Sequence, residues 1–210
     1  MLGQIYERAL NGECCRIRYD HGEVFVLPVG QWLGGRDADE PFDTAVVQMC
    51  EGPTIELGCG PGRLVDTLTR RGIRALGVDQ SEAAIRLARR RGTPVLHGDV
   101  FGPLPELGRW ETVLLIDGTV GLGGDPQRIL TVAAQLLQRG GQCLAEVDPT
   151  VIGVRVSQVR LESDDAVGEW FPWATVGVDS AALLAERAGL VLTGIHQHGD
   201  RVIASMTAVS

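Results

Sequence analysis

The chain has 210 residues, of which 44% are hydrophobic and 22% charged. These are the proportions of a globular protein long enough for one full hydrophobic core, and they exclude disorder and fibrous classes. A net charge of −8 argues against nucleic acid as a partner, because phosphate binding needs clustered cations.

All 19 basic residues are arginine. Without lysine, Schiff-base chemistry and a Walker-type phosphate loop are excluded, since both need an amine. Cys14, Cys15, Cys50, Cys59 and Cys143 are odd in number and form no CxxC pair. Reduced thiols are expected from this, not a disulfide framework or a zinc site. No apolar run approaches the roughly 18 residues of a membrane-spanning helix. The opening MLGQIYERAL lacks the basic-then-apolar order of a secretory signal, so a cytoplasmic protein without membrane contact is expected.

In chain order, residues 2–10 have helical spacing, and residues 16–19 and 23–29 read as a hairpin around Asp20-His21-Gly22. Residues 31–40 read as a loop and 41–50 as a helix. Residues 1–50 are therefore expected to form a helix-and-hairpin cap on the same domain, with residues 51–210 carrying the main fold. From residue 54 onward strands and helices alternate. Strands are expected at 54–57, 74–78, 94–97, 112–116 and 142–147. Helices are expected at 63–71, 82–91 and 126–139, the last opened by Pro126 and closed by Gly140-Gly141. A helix at 180–188 and two strands near 190–196 and 201–208 close the chain. This alternation predicts a Rossmann-like, doubly wound α/β fold with a seven-stranded, mainly parallel sheet and an antiparallel C-terminal hairpin strand.

Asp79, Asp99, Asp117 and Asp148 each follow the end of an expected strand. Ligands of open α/β sheets bind beyond those carboxyl ends. The stretch Ile55-Glu56-Leu57-Gly58-Cys59-Gly60-Pro61-Gly62-Arg63-Leu64 sets glycines at alternate positions straight after the first of these strands. Glycine there serves a tight turn or a close backbone approach. The dinucleotide fingerprint G-x-G-x-x-G would need its third glycine where Arg63 stands, which disfavours a nicotinamide enzyme.

The ordered set Glu56-x-Gly58-x-Gly60-x-Gly62, then Val78-Asp79, then Gly98-Asp99-Val100-Phe101, resembles the class I S-adenosylmethionine-dependent methyltransferases over residues 54–148. The resemblance implies S-adenosylmethionine as cofactor and methyl transfer as activity. It places the backbone of Gly58, Cys59, Gly60 and Gly62 against the methionine and ribose, and has Glu56 fix that loop and the cofactor's amino group. Asp79 would take the ribose hydroxyls, with Gln80 beside the adenine. Asp99 would accept from the adenine amino group, with Val100 and Phe101 close by, and Asp117 and Gly118 would line the methionine end and face the substrate.

The acceptor is expected to be a small molecule, with oxygen favoured over nitrogen or carbon as the accepting atom. The Asn/Asp-Pro-Pro-aromatic motif of amide and nucleobase methylation is missing after the fourth strand, where Asp117-Gly118-Thr119-Val120-Gly121-Leu122-Gly123-Gly124-Asp125-Pro126 stands instead. That glycine-rich stretch is a flexible lid, a substrate-facing turn or a plain connection. Metal dependence is not expected, because no Asp-Asn pair exists and Asn11 is the one asparagine. The base candidates are Asp117, Glu146, Asp148, His97, His196 and His198. The histidines lie at the adenine side or the far hairpin, which leaves Asp117 and Asp148 as the catalytic residues. Glu169-Trp170-Phe171-Pro172-Trp173 either walls an apolar or aromatic substrate or plugs the core, and Trp32 would close the pocket from above. A partner protein that binds S-adenosylmethionine without turnover is the other reading. A monomer and a homodimer are equally consistent with the sequence.

Overall fold

The computed structural model describes residues 2–34 and 40–209. Its element order is α1 (Leu2–Leu10), β1 (Arg16–Tyr19), β2 (Val24–Val26), α2 (Val29–Leu33), α3 (Glu40–Met49), β3 (Thr54–Leu57), α4 (Arg63–Arg70), β4 (Ala75–Asp79), α5 (Glu82–Arg90), β5 (Val95–His97), β6 (Trp110–Leu115), α6 (Pro126–Leu136), β7 (Leu137–Val147), β8 (Val154–Glu162), β9 (Phe171–Val176), α7 (Ala181–Arg187), β10 (Leu190–His198) and β11 (Arg201–Ala208). The loop expected at 31–40 is therefore helical up to Leu33, and residues 35–39 lie outside the described residues.

Seven strands form the main sheet in the order β10-β11-β7-β6-β3-β4-β5. Neighbours from β7 to β5 are parallel, and β11 runs against both β7 and β10. The expected fold class is borne out, including the antiparallel strand. The chain leaves β3 toward β4 and β5, then returns to the other side through β6 and β7. The crevice at that change of direction lies beyond the carboxyl ends of β3 and β6.

Alternation along the strands supplies both faces. Ile55, Leu57, Val113 and Leu115 pack with Ile129, Leu130 and Ala133 of α6 and Leu184 of α7. Leu114 and Ile116 turn the other way, onto Phe42 and Val46 of α3 and Leu64 and Leu68 of α4. Ser81 and Asp125 cap α5 and α6 by accepting from the Ala84 and Arg128 N–H groups. The helix expected to reach residue 139 stops at Leu136. Leu137 already pairs with Trp110, and a bulge intervenes before Gln142 pairs with Thr112. Gly141 lies so close to the Trp110 and Glu111 carbonyls that a side chain there would press on both.

A second sheet, in the order β2-β1-β8-β9, joins the N-terminal hairpin to residues 154–176. Those later residues carried no strand expectation, and their edge partners lie some 140 positions earlier in the chain, as in Arg18↔Arg160. The residues expected to form a cap thus share a sheet with a segment from the middle of the chain. β9 also lies across the glycine-rich stretch after β6. Thr119–Gly121 forms a 3-10 turn there, and Leu122 bridges to Trp173. A Cβ on Gly121 would stand 1.8 Å from the Ala174 carbonyl oxygen, and one on Gly124 would stand 2.8 Å from Pro172. That stretch is a packed floor, not a free lid. Gly121→Ala should accordingly lower unfolding stability by about 2 kcal/mol, the range of an overpacked core. Chemical denaturation measures this, and a variant as stable as the parent would show that β9 can lift off.

Candidate active site

The glycines after β3 are required by backbone shape. Gly58, Gly60 and Gly62 have φ of 76°, 53° and 79°, in the left-handed region that L side chains rarely adopt. The Gly58 and Cys59 N–H groups donate to the Val78 carbonyl, at 2.8 and 3.1 Å, which ties the loop to β4. The Cys59 side chain turns inward, where its Sγ occupies the space a Cβ on Gly77 would need. Only its backbone therefore belongs to the loop surface. Gly62 opens α4.

Asp79, at the end of β4, fastens this loop. Its Oδ2 accepts from the Gly60 N–H at 2.8 Å and its Oδ1 from the Ser81 N–H at 2.7 Å. Burial pushes its carboxyl above the usual range, opposed by those two N–H groups. Gln80 is exposed, and its carbonyl faces the His97 Nε2 at 3.0 Å. One strand further, Asp99 is exposed and accepts from the Phe101 N–H at 2.9 Å. Val100 is buried, and the Arg128 guanidinium lies 4.0 Å from the centre of the Phe101 ring.

Glu56 is the anomaly of the site. It is buried, and its Oε2 has no hydrogen-bond partner. Burial first, then the charges of Asp117 and Asp79, hold its carboxyl well above the usual range, with the Val65 N–H opposing them. Tyr6, from α1, reaches over the loop, and its hydroxyl would stand 3.3 Å from a Cβ on Gly60. Burial, and after it the charges of Asp79, Cys59 and Asp117, push its phenol far upward.

Beyond β6, Asp117 takes a left-handed conformation at φ 56°, followed by Gly118 at 78°. Its Oδ2 accepts from Arg63 Nη2 at 2.7 Å and its Oδ1 from Arg201 Nη2 at 2.6 Å. Arg63 also pairs with Asp43. Arg201 holds Glu146 through Nε and Nη2, at 2.7 and 2.6 Å, and lies 3.6 Å from the centre of the Phe42 ring. Burial lowers the Arg201 pKa, but Glu146 and Asp117 outweigh it, so its charge is secured. The Arg63 guanidinium that the dinucleotide reading treated as an obstruction is thus turned away from the loop into this ion-pair cluster.

Residues 55–145 match the family model for a methyltransferase domain. Residues 55–145 are a methyltransferase domain. A search of curated protein sequences returns no match. Among solved structures, a SAM-dependent methyltransferase from Bacteroides fragilis, crystallised with S-adenosyl-L-homocysteine, superposes with a TM-score of 0.82 at 16% identity. The match covers 100% of this chain and 94% of that one. A Thermotoga maritima SAM-dependent methyltransferase, described as a possible histamine N-methyltransferase, gives 0.66 at 20% identity, covering 97% and 98%. The 1,6-didemethyltoxoflavin-N1-methyltransferase of Burkholderia thailandensis gives 0.62 at 15%, covering 80% and 77%. At such identities these structures speak for a common fold.

The residues of the methyltransferase domain fit S-adenosylmethionine. The unpartnered Glu56 Oε2 suits an ammonium, and the positive-φ glycines leave backbone exposed to a close neighbour. Among the described residues, no group of three or more His, Cys, Asp or Glu side chains is arranged to hold a metal ion.

Register places Tyr19, Val159 and Phe171 in one cross-strand row of the second sheet, with Trp173 on the same face. Trp173 stands over Gly118, and the half-buried Tyr19 phenol is raised by burial first, then by the charges of Glu23 and Asp148. That face therefore looks onto the ends of β6 and β7. Trp170 turns outward, 43% exposed beneath the Arg160 guanidinium, and Trp32 packs on Tyr6 with ring centres 5.9 Å apart. Asp148 Oδ1 accepts from the Thr150 hydroxyl and from the Thr150 and Val151 N–H groups. Burial raises its pKa, but these donors outweigh it and leave the carboxyl below the usual range.

Sequence reasoning missed Tyr6, Asp43 and Arg201, and took Arg63 only as an obstacle. Nothing in the spacing of residues 1–50 marks Tyr6 or Asp43. Arg201, the first residue after a turn, reads as an ordinary solvated charge.

Proposed function

We propose that the chain moves the methyl group of S-adenosylmethionine to a small-molecule acceptor seated between the glycine loop and the aromatic face of the second sheet. The observation that carries this reading is the buried Glu56 carboxyl, with its Oε2 unpartnered, beside three positive-φ glycines, with Asp79 and Asp99 at the next two strand ends. Bound S-adenosylmethionine supplies an electrophilic methyl on a sulfonium. Glu56 takes its ammonium, Asp79 its ribose hydroxyls and Asp99 its adenine amino group. Tyr6 closes over the loop and keeps water from it. Positioning of this kind accounts for several orders of magnitude in rate without a proton-transfer group.

Asp117 and Asp148, expected from the sequence to be catalytic, are better suited to holding shape. Both oxygens of Asp117 face guanidiniums, and the depressed pKa of Asp148 makes it a weak base. An acceptor whose nucleophile is already free near neutral pH fits such a site. An ionised hydroxyl keeps the oxygen preference, and a neutral amine fits as well. Fold neighbours named as N-methyltransferases lend support to nitrogen. Calorimetric titration with S-adenosylhomocysteine, beside NADH as a control, tests the cofactor. Mass spectrometry of a panel of flat aromatic amines and phenols incubated with S-adenosylmethionine tests the acceptor. Heat from NADH and none from S-adenosylhomocysteine would overturn the reading.

A further inference from the structure

We propose that Arg201, on the antiparallel strand β11, is a positioning residue for the amino-acid end of the cofactor site, acting through Asp117 and Glu146. The inference rests on the function proposed above and goes beyond it, since no motif of the 55–145 domain contains Arg201. β11 lies beside β7, with Val202 opposite Val147 and Ile203 opposite Glu146. Arg201 therefore starts where β7 ends, and its guanidinium reaches across that end to β6. There it binds both Glu146 oxygens and Asp117 Oδ1, at 2.6–2.7 Å. Glu146 completes the ring by accepting from the Asp117 N–H at 2.7 Å. Asp117 is thus fixed through its backbone and both carboxylate oxygens, counting Arg63 on Oδ2.

Asp117 needs that many holds because it sits at φ 56°, a conformation a non-glycine residue keeps only when its surroundings impose it. The turn it begins is packed against the glycine loop. A Cβ on Gly58 would stand 2.8 Å from Thr119 Cγ2 and 3.2 Å from Leu122 Cδ1. If Asp117 relaxes, Thr119 moves against Gly58, and the wall of the amino-acid end moves with it. The adenosine end lies across β3 from Arg201, where Asp79 at the end of β4 and Asp99 two residues beyond β5 accept from the Gly60, Ser81 and Phe101 N–H groups. Arg201 thereby gives the hairpin strand a role at the crest of the sheet as well as at its edge.

The test compares two ligands that share adenosine and a neutral thioether and differ in the amino-acid moiety. These are S-adenosylhomocysteine and 5′-methylthioadenosine. Arg201→Met should weaken S-adenosylhomocysteine by about tenfold or more in calorimetry, while methylthioadenosine binds within twofold of the parent. A general loss of fold would weaken both alike, so the ratio reads position and not stability. Arg201→Lys keeps one charge but cannot span both carboxylates in the same geometry. It should fall between the parent and Arg201→Met, and it carries the test if the methionine variant does not fold. A folded variant that binds S-adenosylhomocysteine as tightly as the parent does, or that weakens both ligands equally, overturns the inference. A parent protein that binds neither ligand overturns instead the function on which it rests.

Discussion

Asp79→Asn is expected to weaken S-adenosylhomocysteine and methylthioadenosine together, by about 100-fold or more in dissociation constant. The carboxylate offers acceptors at both oxygens, already engaged by the Gly60 and Ser81 N–H groups. An amide must turn an NH2 toward one of those donors. The glycine loop then loses one of its ties to β4, and the ribose loses a charged acceptor. Hydrogen bonds to charged groups contribute about 1.5–3 kcal/mol each, and two of them account for the expected loss. Because burial raises the Asp79 pKa, the ionised form that binds should begin to disappear at a higher pH than an ordinary carboxylate would. Affinity should therefore fall on acidification while the fold persists, as calorimetry across a pH series would show. Loss confined to S-adenosylhomocysteine, with methylthioadenosine unaffected, would place Asp79 at the wrong end of the ligand.

The second large effect has opposite signs for stability and binding. Glu56→Gln should make the unbound protein more stable near neutral pH, yet weaken S-adenosylhomocysteine by about 30- to 100-fold, or roughly 2–3 kcal/mol. Burial and the nearby charges of Asp117 and Asp79 raise the Glu56 pKa in the folded chain. A raised folded value means that stability is fully present below the ordinary carboxylate pKa and is lost as pH rises through the folded one. Each unit of that elevation corresponds to about 1.4 kcal/mol, which glutamine removes while keeping an oxygen for the Val65 N–H. The variant's unfolding midpoint should also vary less with pH than the parent's. A variant that binds S-adenosylhomocysteine as tightly as the parent would end the ammonium role. A variant less stable than the parent would show that the carboxylate is compensated before any ligand arrives.

The legible part of this protein is local. Strand β3, its glycine turn and α4 follow from adjacent residues, because alternation, left-handed turns and helix starts are short-range matters. The acids at strand ends were legible for the same reason: each is placed by the strand immediately before it. The 142–147 strand was found, but its bulged beginning at Leu137 was not, since that pairing depends on Trp110 in another strand. Residues 154–176 were illegible as strands. β8 needs β1 of the N-terminal hairpin on one edge as well as β9 on the other, and exposed valines on β8 alternate too weakly to announce a sheet.

The same division holds at the site. Glu56 lies on β3, Asp79 ends β4 and Asp99 follows β5, because a strand end and its turn carry the side chain with them. The hydrogen-bond partners of Asp117 and Asp148 could not be read from sequence, since only the folded chain brings Arg63, Arg201 and Thr150 to their oxygens.

By itself the sequence determined the alternating α/β order, the glycine loop and the ladder of acids, all set by interactions within a few residues. Only the tertiary structure decided that the glycine-rich turn is a floor under β9, that Tyr6 reaches over the loop and that one Glu56 oxygen is left without a partner. It also decided that an arginine from the last strand anchors Asp117. Each of these depends on contacts between residues far apart in the chain, and side-chain spacing along one element carries no record of what a distant element will place beside it.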